Sequence, residues 1–348
     1  MRGTQKTNFV GIVIPTLNAE RHLQISLPSL LNQELTPRIL VVDSSSDDDT
    51  VQIARGYGIE ILSIERCEFN HGSTRERARK YLDTDIVVFM TQDTYPKNRQ
   101  MLEKLIDPIR KGKASICYGR QVPRKGADIF EAFPRKFNYP GRSQLRSMAD
   151  IKEYGVYTYF CSNSCAAYKN SALDEIHGFR SVIIGEDTLA TAMLLMNGHK
   201  IAYVADAVVE HSHHYTLIDE FRRYFDTGYY REQYCKLIDL RGGDAERGRK
   251  FFVRFVKLVV SRRPWALPYL FLNFFLKLAG YELGRRSLNK PDWFKKIMSS
   301  QSFYWNSNDY KKMNENDTPT EKKFEKKSEK LESNAIYAKE HEPTSGIT

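Results

Sequence analysis

The sequence lacks two marks of an exported protein, a signal-peptide core and regularly spaced cysteines. The first apolar run, residues 9–15, holds six apolar residues before polar residues return, whereas a secretory core needs about 7–15. Five cysteines are scattered along the chain without a C-x-x-C pair, so we expect reduced thiols. Both absences predict a protein that stays in the cytoplasm.

An excess of charge is also absent from most of the chain. Residues 1–221 carry 27 Lys and Arg against 27 Asp and Glu, and residues 301–348 carry 8 against 9. The net charge of +10 therefore arises almost wholly in residues 222–300, which have 18 basic and 7 acidic side chains. Such a stretch can face nucleic acid, an anionic membrane or an acidic substrate, because all three carry dense negative charge.

Apolar strands alternate with helices over the first two thirds of the sequence. This alternation is typical of an α/β fold in which helices cover both faces of a mainly parallel sheet. Helices are predicted at residues 20–32, 50–57 and 73–82. Strands are predicted at residues 9–14, 38–43, 59–64, 85–90 and 114–118, and again near 160–168 and 200–209.

Composition divides the chain into three regions. Residues 1–215 form the predicted catalytic domain, in which residues 120–157 are rich in Arg, Pro, Gly and aromatics and show little periodicity. An irregular segment of that length inside a compact domain is usually functional or mobile. Residues 216–305 form a basic helical region. Residues 306–348 mix Lys and Glu without apolar periodicity, which predicts a disordered or marginally helical tail.

Polar residues follow several of the predicted strands. The first strand runs into Pro15-Thr16-Leu17-Asn18, the second into Asp43-Ser44-Ser45, and a later strand into Thr91-Gln92-Asp93. In an open α/β sheet ligands bind beyond the carboxyl ends of the strands, so these residues predict a ligand site. An aspartate after a strand can also simply cap the following helix.

A specific resemblance appears in the motifs IVIPTLN and VVDSSSDDDT, followed in order by FNHGSTRERA, MTQDTYP and GEDTLATAMLLMNGHKIAYV. Over residues 9 to about 214 the chain resembles the inverting family 2 glycosyltransferases of GT-A fold. The segments FNHGSTR, TQD, YGRQVP and HSHHYT look like the rhamnosyltransferase branch of bacterial surface-polysaccharide synthesis. One departure is that many members have Asp-x-Asp where this chain has Thr91-Gln92-Asp93, which leaves one carboxylate to anchor a metal.

The resemblance implies a binding site for a sugar nucleotide. In that site Asp43 accepts a hydrogen bond from the pyrimidine imide N–H, Thr16 and Asn18 border the base, and Arg75 lies near the diphosphate. The resemblance also implies that the segment 120–157 lies on the acceptor side, where Arg120 is expected to contact donor or acceptor. Arg120 could equally be the partner in a structural ion pair. The full implied donor-binding set is Pro15, Thr16, Asn18, Asp43, Ser45, Arg75, Gln92, Asp93 and Arg120.

A divalent cation is the expected cofactor. A sugar nucleotide leaves as a diphosphate, and Mg²⁺ or Mn²⁺ neutralises its developing charge through oxygen ligands. Asp93 suits that metal, and the resemblance implies that His211 or His213 completes the metal shell. The histidines can instead be polar loop residues or contacts to an acceptor phosphate.

Inverting transfer also needs a base that removes a proton from the acceptor hydroxyl during its attack. The resemblance implies that this base lies in Glu186-Asp187, and Asp187 is preferred because the family's pair usually uses its second member. Both carboxylates also begin an apolar helix, where negative charge is favoured in any case. These two roles are compatible.

Residues 264–281 contain one charge in 18 residues, which is near the lower limit for spanning a bilayer. Arginines lie before it (Arg262, Arg263) and after it (Arg285, Arg286), which predicts an interfacial segment on the cytoplasmic face of the inner membrane. Packing against the catalytic domain or a sister subunit is the alternative, and a homo-oligomer is a possible assembly. Nucleic acid is not an expected partner, because the charge accompanies an apolar segment rather than stacking aromatics.

Together these features predict a transferase that moves L-rhamnose from dTDP-rhamnose onto a growing glycan. The expected acceptor is lipid-linked and belongs to a surface polysaccharide or lipopolysaccharide. A related enzyme that uses UDP-N-acetylglucosamine or UDP-galactose is one alternative. An inactive scaffold that binds sugar nucleotides is another, disfavoured by the presence of Asp43, Asp93 and Asp187.

Overall fold

The computed structural model describes residues 9–212, 215–235 and 244–315. Within these residues nine strands form one sheet. The strands are β1 (Val10–Thr16), β2 (Arg38–Asp43), β3 (Glu60–Ser63), β4 (Ile86–Met90), β5 (Tyr95–Pro96), β6 (Ile116–Val122), β7 (Gln144–Arg146), β8 (Cys165–Lys169) and β9 (Ile201–Glu210).

Helices separate many of the strands and then make up most of the chain after β9. None of the helices in the described ranges is both long enough and apolar enough to cross a membrane. The helices are α1 (Glu20–Leu31), α2 (Thr50–Gly56), α3 (His71–Leu82), α4 (Met101–Arg110), α5 (Ile129–Asn138), α6 (Ile151–Tyr154), α7 (Asn170–Glu175), α8 (Glu186–Met196), α9 (Leu217–Gln233), α10 (Asp244–Arg262), α11 (Leu267–Arg285), α12 (Asp292–Met298) and α13 (Asn308–Glu315).

The sheet is mixed, with strand order β3-β2-β1-β4-β8-β6-β9-β5 and β7 paired to β9. Strands β3, β2, β1 and β4 are parallel, as the sequence predicts, but β8 runs antiparallel to both β4 and β6. The expectation of a mainly parallel sheet is therefore wrong for the second half. The chain passes from β6 through β7, which ends at the amino edge of the sheet beside Ile201. It then returns to the carboxyl edge before β8 begins, where Cys165 pairs with Met90 at the end of β4.

Apolar side chains pack on both faces of the sheet, which confirms helices on both sides. One face is covered by Leu23 and Leu27 of α1 and Leu105 of α4, all fully buried. The other is covered by Leu82 of α3 and Leu189 of α8. The carboxyl ends of β1, β2 and β4 are thereby held at one edge.

The segment 120–157, predicted to be irregular, contains α5, β7 and α6. Phe130 and Phe133 of α5 pack against Phe255 of α10, and the rings of Phe133 and Phe255 stack with centroids 4.4 Å apart. The sequence conceals this helix because Pro134 lies inside it, and proline normally indicates a break. The apolar side of α5 packs against α10, which lies more than 100 residues further along the chain.

Helix α11, which contains most of the apolar segment, packs closely on α9. A β-carbon at Gly284 would lie 2.0 Å from the carbonyl oxygen of Phe225, and one at Gly228 would lie 2.1 Å from that of Tyr281. Only glycine permits backbones to approach this closely. One side of the apolar segment is thus buried in protein, while other side chains remain exposed.

The first part of the predicted C-terminal tail is packed on the catalytic domain. Residues 308–315 form α13, and Trp305 and Tyr310 are almost fully buried. Asp309 accepts a hydrogen bond from Ser73 of α3 at 2.8 Å, so this helix is fastened to the catalytic domain. Residues 308–315 of the predicted tail are thus part of the folded protein, because Tyr310 packs on Trp305 and Trp305 packs on Tyr229 of α9. Residues 316–348 lie outside the described residues.

Replacing Tyr310 with alanine should destabilise the protein by about 3 kcal/mol, the usual cost of removing a large buried aromatic side chain. The ring packs on Trp305 with centroids 5.2 Å apart, and its hydroxyl donates to Asp292 at 2.8 Å. Thermal or urea unfolding measures the loss. Removal of residues 316–348 is the comparison and should leave the melting temperature unchanged. Equal stability of Tyr310→Ala and wild type would show that α13 contributes nothing.

Candidate active site

The ends of β1 and β2 form the first part of the site, centred on Asp43. This carboxylate is buried and accepts hydrogen bonds from the Thr16 hydroxyl at 3.2 Å and the Ser46 hydroxyl at 2.5 Å. The backbone N–H of Ser46 donates to its second oxygen at 3.0 Å. Pro15 lies beside Val42 in the strand register, so it shapes the edge through the backbone.

The two loops that follow these strands are bonded to each other. Asn18 accepts from the backbone N–H of Asp47 at 2.9 Å and donates its own backbone N–H to Ser46 at 2.9 Å. Asn18 and Ser45 both have left-handed backbones, with φ of 49° and 61°. Non-glycine residues rarely adopt this conformation, and they do so most often where a tight turn or a site requires it.

Gln92 fastens the β4 end to the β1 loop. Its side-chain oxygen accepts from the backbone N–H of Leu17 at 2.9 Å, and its amide nitrogen donates to the Leu17 carbonyl at 3.2 Å. Both ends of the amide are therefore engaged with backbone. Gln92, a predicted donor-binding residue, therefore holds in place the loop that contains Thr16 and Asn18.

Asp93 lies beside His211 and Arg124. Its carboxylate is 3.3 Å from Nε2 of His211 and 3.7 Å from the guanidinium of Arg124. Arg124 also donates to the backbone carbonyl of Asp93 and stacks 4.6 Å from the Tyr95 ring centroid. The predicted pairing of Asp93 with a late histidine is therefore present in the structure for His211. His213 lies outside the described residues.

The orientation of the His211 ring is set by Gln121. Nδ1 of His211 is 2.7 Å from the Gln121 side-chain oxygen, and the Gln121 amide nitrogen donates to Ser162 at 2.9 Å. The amide orientation assigns the imidazole proton to Nδ1, so Nε2 faces Asp93 as a lone pair in the neutral ring. Burial lowers the pKa of His211 even though Asp93 opposes this, which favours the neutral form.

These residues fit a divalent cation as a partial ligand set. A carboxylate oxygen and an imidazole nitrogen that face one another are two acceptors that a cation can bridge. Within the described ranges no group of three or more His, Cys, Asp and Glu side chains is arranged to hold a metal. Asp93 and His211 therefore supply two positions, and substrate oxygens and water would have to supply the others.

Glu186 and Asp187 begin α8, directly after Gly185, whose φ is +80°. Asp187 accepts the backbone N–H groups of Asn163 at 3.1 Å and Thr188 at 2.7 Å. Burial, reinforced by the charge of Glu186, raises the pKa of Asp187 to about 7. A carboxylate that binds its proton near neutral pH is matched to proton transfer, as the sequence predicts for Asp187.

Helix α9 closes the other side of this turn. A β-carbon at Gly185 would lie 2.8 Å from the Tyr230 ring, so Tyr230 rests directly on the residue before the carboxylate pair. Tyr230 is buried. The predicted catalytic domain ends at residue 215, yet its carboxylate pair is packed against a helix from the next region.

Arg75 lies beside the carboxylate pair of α8, and its position near the diphosphate stays a prediction. It is buried, and its guanidinium forms an ion pair with Glu186 at 3.1 Å and donates to the His71 carbonyl at 2.9 Å. The FNHG motif begins α3, with Asn70 capping the helix through Gly72 and Ser73. Arg75 lies one turn into that helix, on the face that meets α8.

Arg120 belongs to β6. A shift of register in the β6–β9 pairing occurs between Gly119 and Arg120. The Arg120 guanidinium lies 3.7 Å from where a β-carbon would stand on Gly141. Arg120 therefore lies against Gly141 within the 120–157 segment, and its contact with donor or acceptor stays a prediction.

A chain of hydrogen bonds connects the Asp93 group to the carboxylates of α8. It runs from His211 through Gln121 to Ser162, and the next residue, Asn163, bonds to Asp187 and Glu186. Sequence reasoning missed Arg124 and Asn163. Asn163 lies at the amino end of β8, which reaches the site only because β8 is antiparallel, so the strand direction was the missing information.

The fold and this polar edge are those of a glycosyltransferase, and comparison with known proteins agrees. The profile of glycosyl transferase family 2 matches residues 11–177. The O-antigen chain rhamnosyltransferase RfbN of Salmonella typhimurium is 36% identical over 309 residues, which cover 86% of this chain and 97% of the relative. WbaN of Salmonella anatum, another O-antigen chain rhamnosyltransferase, is 37% identical over 78% of this chain and 87% of its own length. The chain belongs to glycosyl transferase family 2.

Among solved structures, a mannosyltransferase from Pyrobaculum calidifontis in complex with GDP-Man and Mn²⁺ shares the fold. Its TM-score is 0.50 at 17% identity, over 85% of this chain and 84% of that one. The agreement confirms a mixed α/β fold of the GT-A type.

Proposed function

We propose that the protein transfers L-rhamnose from dTDP-rhamnose, with inversion, onto a lipid-linked glycan acceptor of a surface polysaccharide or lipopolysaccharide. The observation that carries the reaction class is the buried carboxylate Asp187, whose pKa is raised to about 7 and which accepts the backbone N–H of Asn163. The preceding residue, Ser162, is hydrogen-bonded through Gln121 to His211 beside Asp93. The choice of sugar is supported by the two O-antigen chain rhamnosyltransferases, which match most of the chain.

Donor binding would use the ends of β1, β2 and β4. Asp43 is held by Thr16 and Ser46 in a fixed orientation and is the acceptor for the imide N–H of the thymine base. Asp93 and His211 would hold Mg²⁺ or Mn²⁺. When bound there, the cation would offset the charge that develops on the diphosphate. Arg124, beside Asp93, would add a fixed positive charge at the same place.

In the transfer step Asp187 removes the proton from the acceptor hydroxyl. The freed oxygen forms a bond to the anomeric carbon of rhamnose from the face opposite the diphosphate. The bond between that carbon and the diphosphate oxygen breaks, and its electron pair leaves with dTDP. The proton remains on Asp187, and the configuration of the anomeric carbon inverts.

Donor competition tests the proposal. Purified protein is incubated with Mn²⁺, a lipid-linked glycan acceptor extract and dTDP-rhamnose, UDP-N-acetylglucosamine or UDP-galactose. We expect dTDP release and a mass gain of one deoxyhexose only with dTDP-rhamnose. Transfer from a UDP-sugar alone would replace the proposed donor. Donor binding without turnover on any acceptor would favour the scaffold function instead.

We further propose that the protein works at the cytoplasmic face of the inner membrane through the α10–α11 face, the exposed apolar surface of these two helices. Phe271, Phe275 and Leu278 lie one helical turn apart along α11 and are 52%, 65% and 62% exposed. Trp265, just before α11, is 76% exposed. These aromatic and aliphatic side chains form a strip parallel to the helix axis, about 20 Å long at 1.5 Å per residue.

Basic residues lie at both ends of that strip. Arg262 and Arg263 are exposed at its beginning, and Arg286 is exposed at its end. Arg285 pairs with Glu232 at 3.1 Å and Arg286 more loosely with Glu282 at 3.6 Å, and the Arg286 side chain is the more exposed of the two. Cations at both ends of an apolar strip match a helix that lies in the plane of an anionic bilayer, with its apolar side at the acyl boundary.

Charge reversal of Arg262, Arg263 and Arg286 to Glu should release the protein from anionic vesicles. Each basic residue near such a surface contributes about 1 kcal/mol, so loss of three predicts at least about 100-fold weaker binding. Co-sedimentation with phosphatidylglycerol vesicles measures it at several salt concentrations. Reversal of Arg55, Arg66 and Lys113, exposed on the sheet domain, is the matched control and should bind like wild type.

The same assay separates the other occupants of this face. Phe275→Glu should weaken vesicle binding even at low salt, since it removes apolar burial. A wild-type protein that is dimeric by light scattering, and that fails to sediment with vesicles at any salt concentration, would assign the face to a second copy of the chain. A protein that resists both salt and alkaline carbonate would instead contradict in-plane binding.

A further inference from the structure

Glu186 is the charged residue at the site to which the transfer step gives no role. It is almost fully buried, yet it carries a carboxylate beside the proposed base. Its Oε1 is 3.1 Å from the Arg75 guanidinium and 3.0 Å from the Asn163 amide nitrogen, which donates to it. Two donors on one buried oxygen hold the carboxylate in a single position.

Asn163 binds both members of the carboxylate pair. Its side chain donates to Glu186, and its backbone N–H donates to Asp187 at 3.1 Å. The side-chain oxygen accepts from the Tyr168 hydroxyl at 2.9 Å, which fixes the amide orientation so that the nitrogen faces Glu186. One residue therefore sets the separation of two carboxylates that repel each other.

We propose that Arg75, Asn163 and Glu186 form a positioning unit that keeps a permanent negative charge beside Asp187 and so maintains it as a strong base. This inference rests on the proposed role of Asp187. Glu186 does not touch substrate in it and acts only through Asp187. Arg75 supplies the countercharge that allows Glu186 to remain ionised in a buried position.

The electrostatics agree with this assignment. Burial acts to raise the pKa of Glu186, but Arg75, His71 and Asn163 together hold it below its usual value. Burial lowers the pKa of His71 to about 4, so this ring is neutral at pH 7. The other titratable groups around Asp187 are neutral at pH 7, because burial raises their pKa values: Tyr139, Cys161, Tyr168 and Tyr230.

The pH dependence of kcat/KM reports the protonation of Asp187. Asp187 works when deprotonated, so kcat/KM should fall as pH drops through about 7. Glu186→Gln removes the neighbouring charge, which lowers the pKa of Asp187 and moves the acid limb to lower pH by about one unit. Turnover on the high-pH plateau should fall roughly threefold to tenfold, because the base becomes weaker. The donor KM should not change.

The experiment is a pH profile of kcat/KM between pH 5 and 9 for wild type, Glu186→Gln, Glu186→Asp and the double variant Arg75→Met/Glu186→Gln. The double variant removes both buried charges and guards against unfolding of the single one. Glu186→Gln should show the full shift of the limb, and the double variant a smaller shift in the same direction, because loss of Arg75 raises the pKa that loss of Glu186 lowers. Glu186→Asp, which keeps the charge, should return the limb toward pH 7. An acid limb that stays near pH 7 in folded Glu186→Gln and in the double variant would overturn the inference.

The Asp187→Asn variant distinguishes failure of the positioning unit from failure of the proposed function. If Asp187→Asn retains turnover, Asp187 is not the base and the positioning unit has nothing to act on, so both ideas are rejected. If Asp187→Asn is inactive while the Glu186→Gln limb is unshifted, only the positioning unit is rejected.

Discussion

Asp187→Asn is expected to lower kcat by about 10³-fold, within the range that a general base contributes. Asparagine has nearly the same shape but cannot accept the acceptor's proton. The donor KM should remain within about twofold of wild type, because the proposed donor contacts of Asp43 and Asp93 belong to other strands. Release of dTDP in the presence of acceptor measures the turnover.

The substitution should cost little stability. Asp187 accepts two backbone N–H groups, one on each oxygen, and the new amide nitrogen must face one of these donors, a loss of about 1–2 kcal/mol. Near pH 7 the native carboxyl is already about half protonated, so charge removal adds little. Asp206→Asn, an exposed aspartate of β9, is the matched control and should retain full activity. Turnover of Asp187→Asn within tenfold of wild type would exclude Asp187 as the base.

Asp93→Ala should lower kcat by at least about 10²-fold and remove the response to Mn²⁺. The carboxylate is one of two metal-facing groups at the end of β4, and loss of one electrostatic contact to a developing charge typically costs 10²–10³-fold. The fold should persist, because Arg124 keeps its bond to the backbone carbonyl of residue 93. Thermal shift with Mn²⁺ and with dTDP provides a readout that does not depend on activity.

Two further variants make the Asp93 result specific. His211→Ala should weaken the Mn²⁺ response about 10-fold to 100-fold while leaving some activity, as for loss of one ligand. Asp85→Ala, at the amino end of the same strand and exposed, is the matched control and should behave as wild type. Wild-type turnover in Asp93→Ala, or an unchanged Mn²⁺ shift, would show that the cation is anchored elsewhere.

The sequence predicts the first half of the fold well because its strands are continuous apolar runs. Strands β1, β2 and β4 occur within two residues of their expected limits, with Asp43 at the end of β2 and Asp93 shortly after β4 as expected. Local pattern fails where distant packing decides the structure. Helix α5 contains Pro134 and is held by α10, and the position of Trp305 and Tyr310 depends on α9.

In the candidate site, too, the sequence predicts what local pattern determines and misses what packing between distant elements determines. The resemblance implied that His211 or His213 joins Asp93, and in the structure His211 lies beside Asp93 because both follow strands that end at one edge. Arg75 could not be placed, because a motif gives the order of residues along α3 but not which side of the helix meets α8. Asn163 has no periodic or motif signal, and its role depends on the direction of β8.

The contact of Tyr230 with Gly185 has a consequence for building chimeric enzymes from this family. A chimera joined at residue 215 would take its carboxylate pair from one transferase and its α9 from another. The ring that packs on Gly185 would then come from a different enzyme than Gly185 itself. Because α9 is also locked to α11 through Gly228 and Gly284, the α9 and α11 segments must be exchanged together. A junction before Asn163 therefore keeps the carboxylates, Asn163 and the helices behind them together, and the partner that supplies α3 must carry an arginine at the position of Arg75.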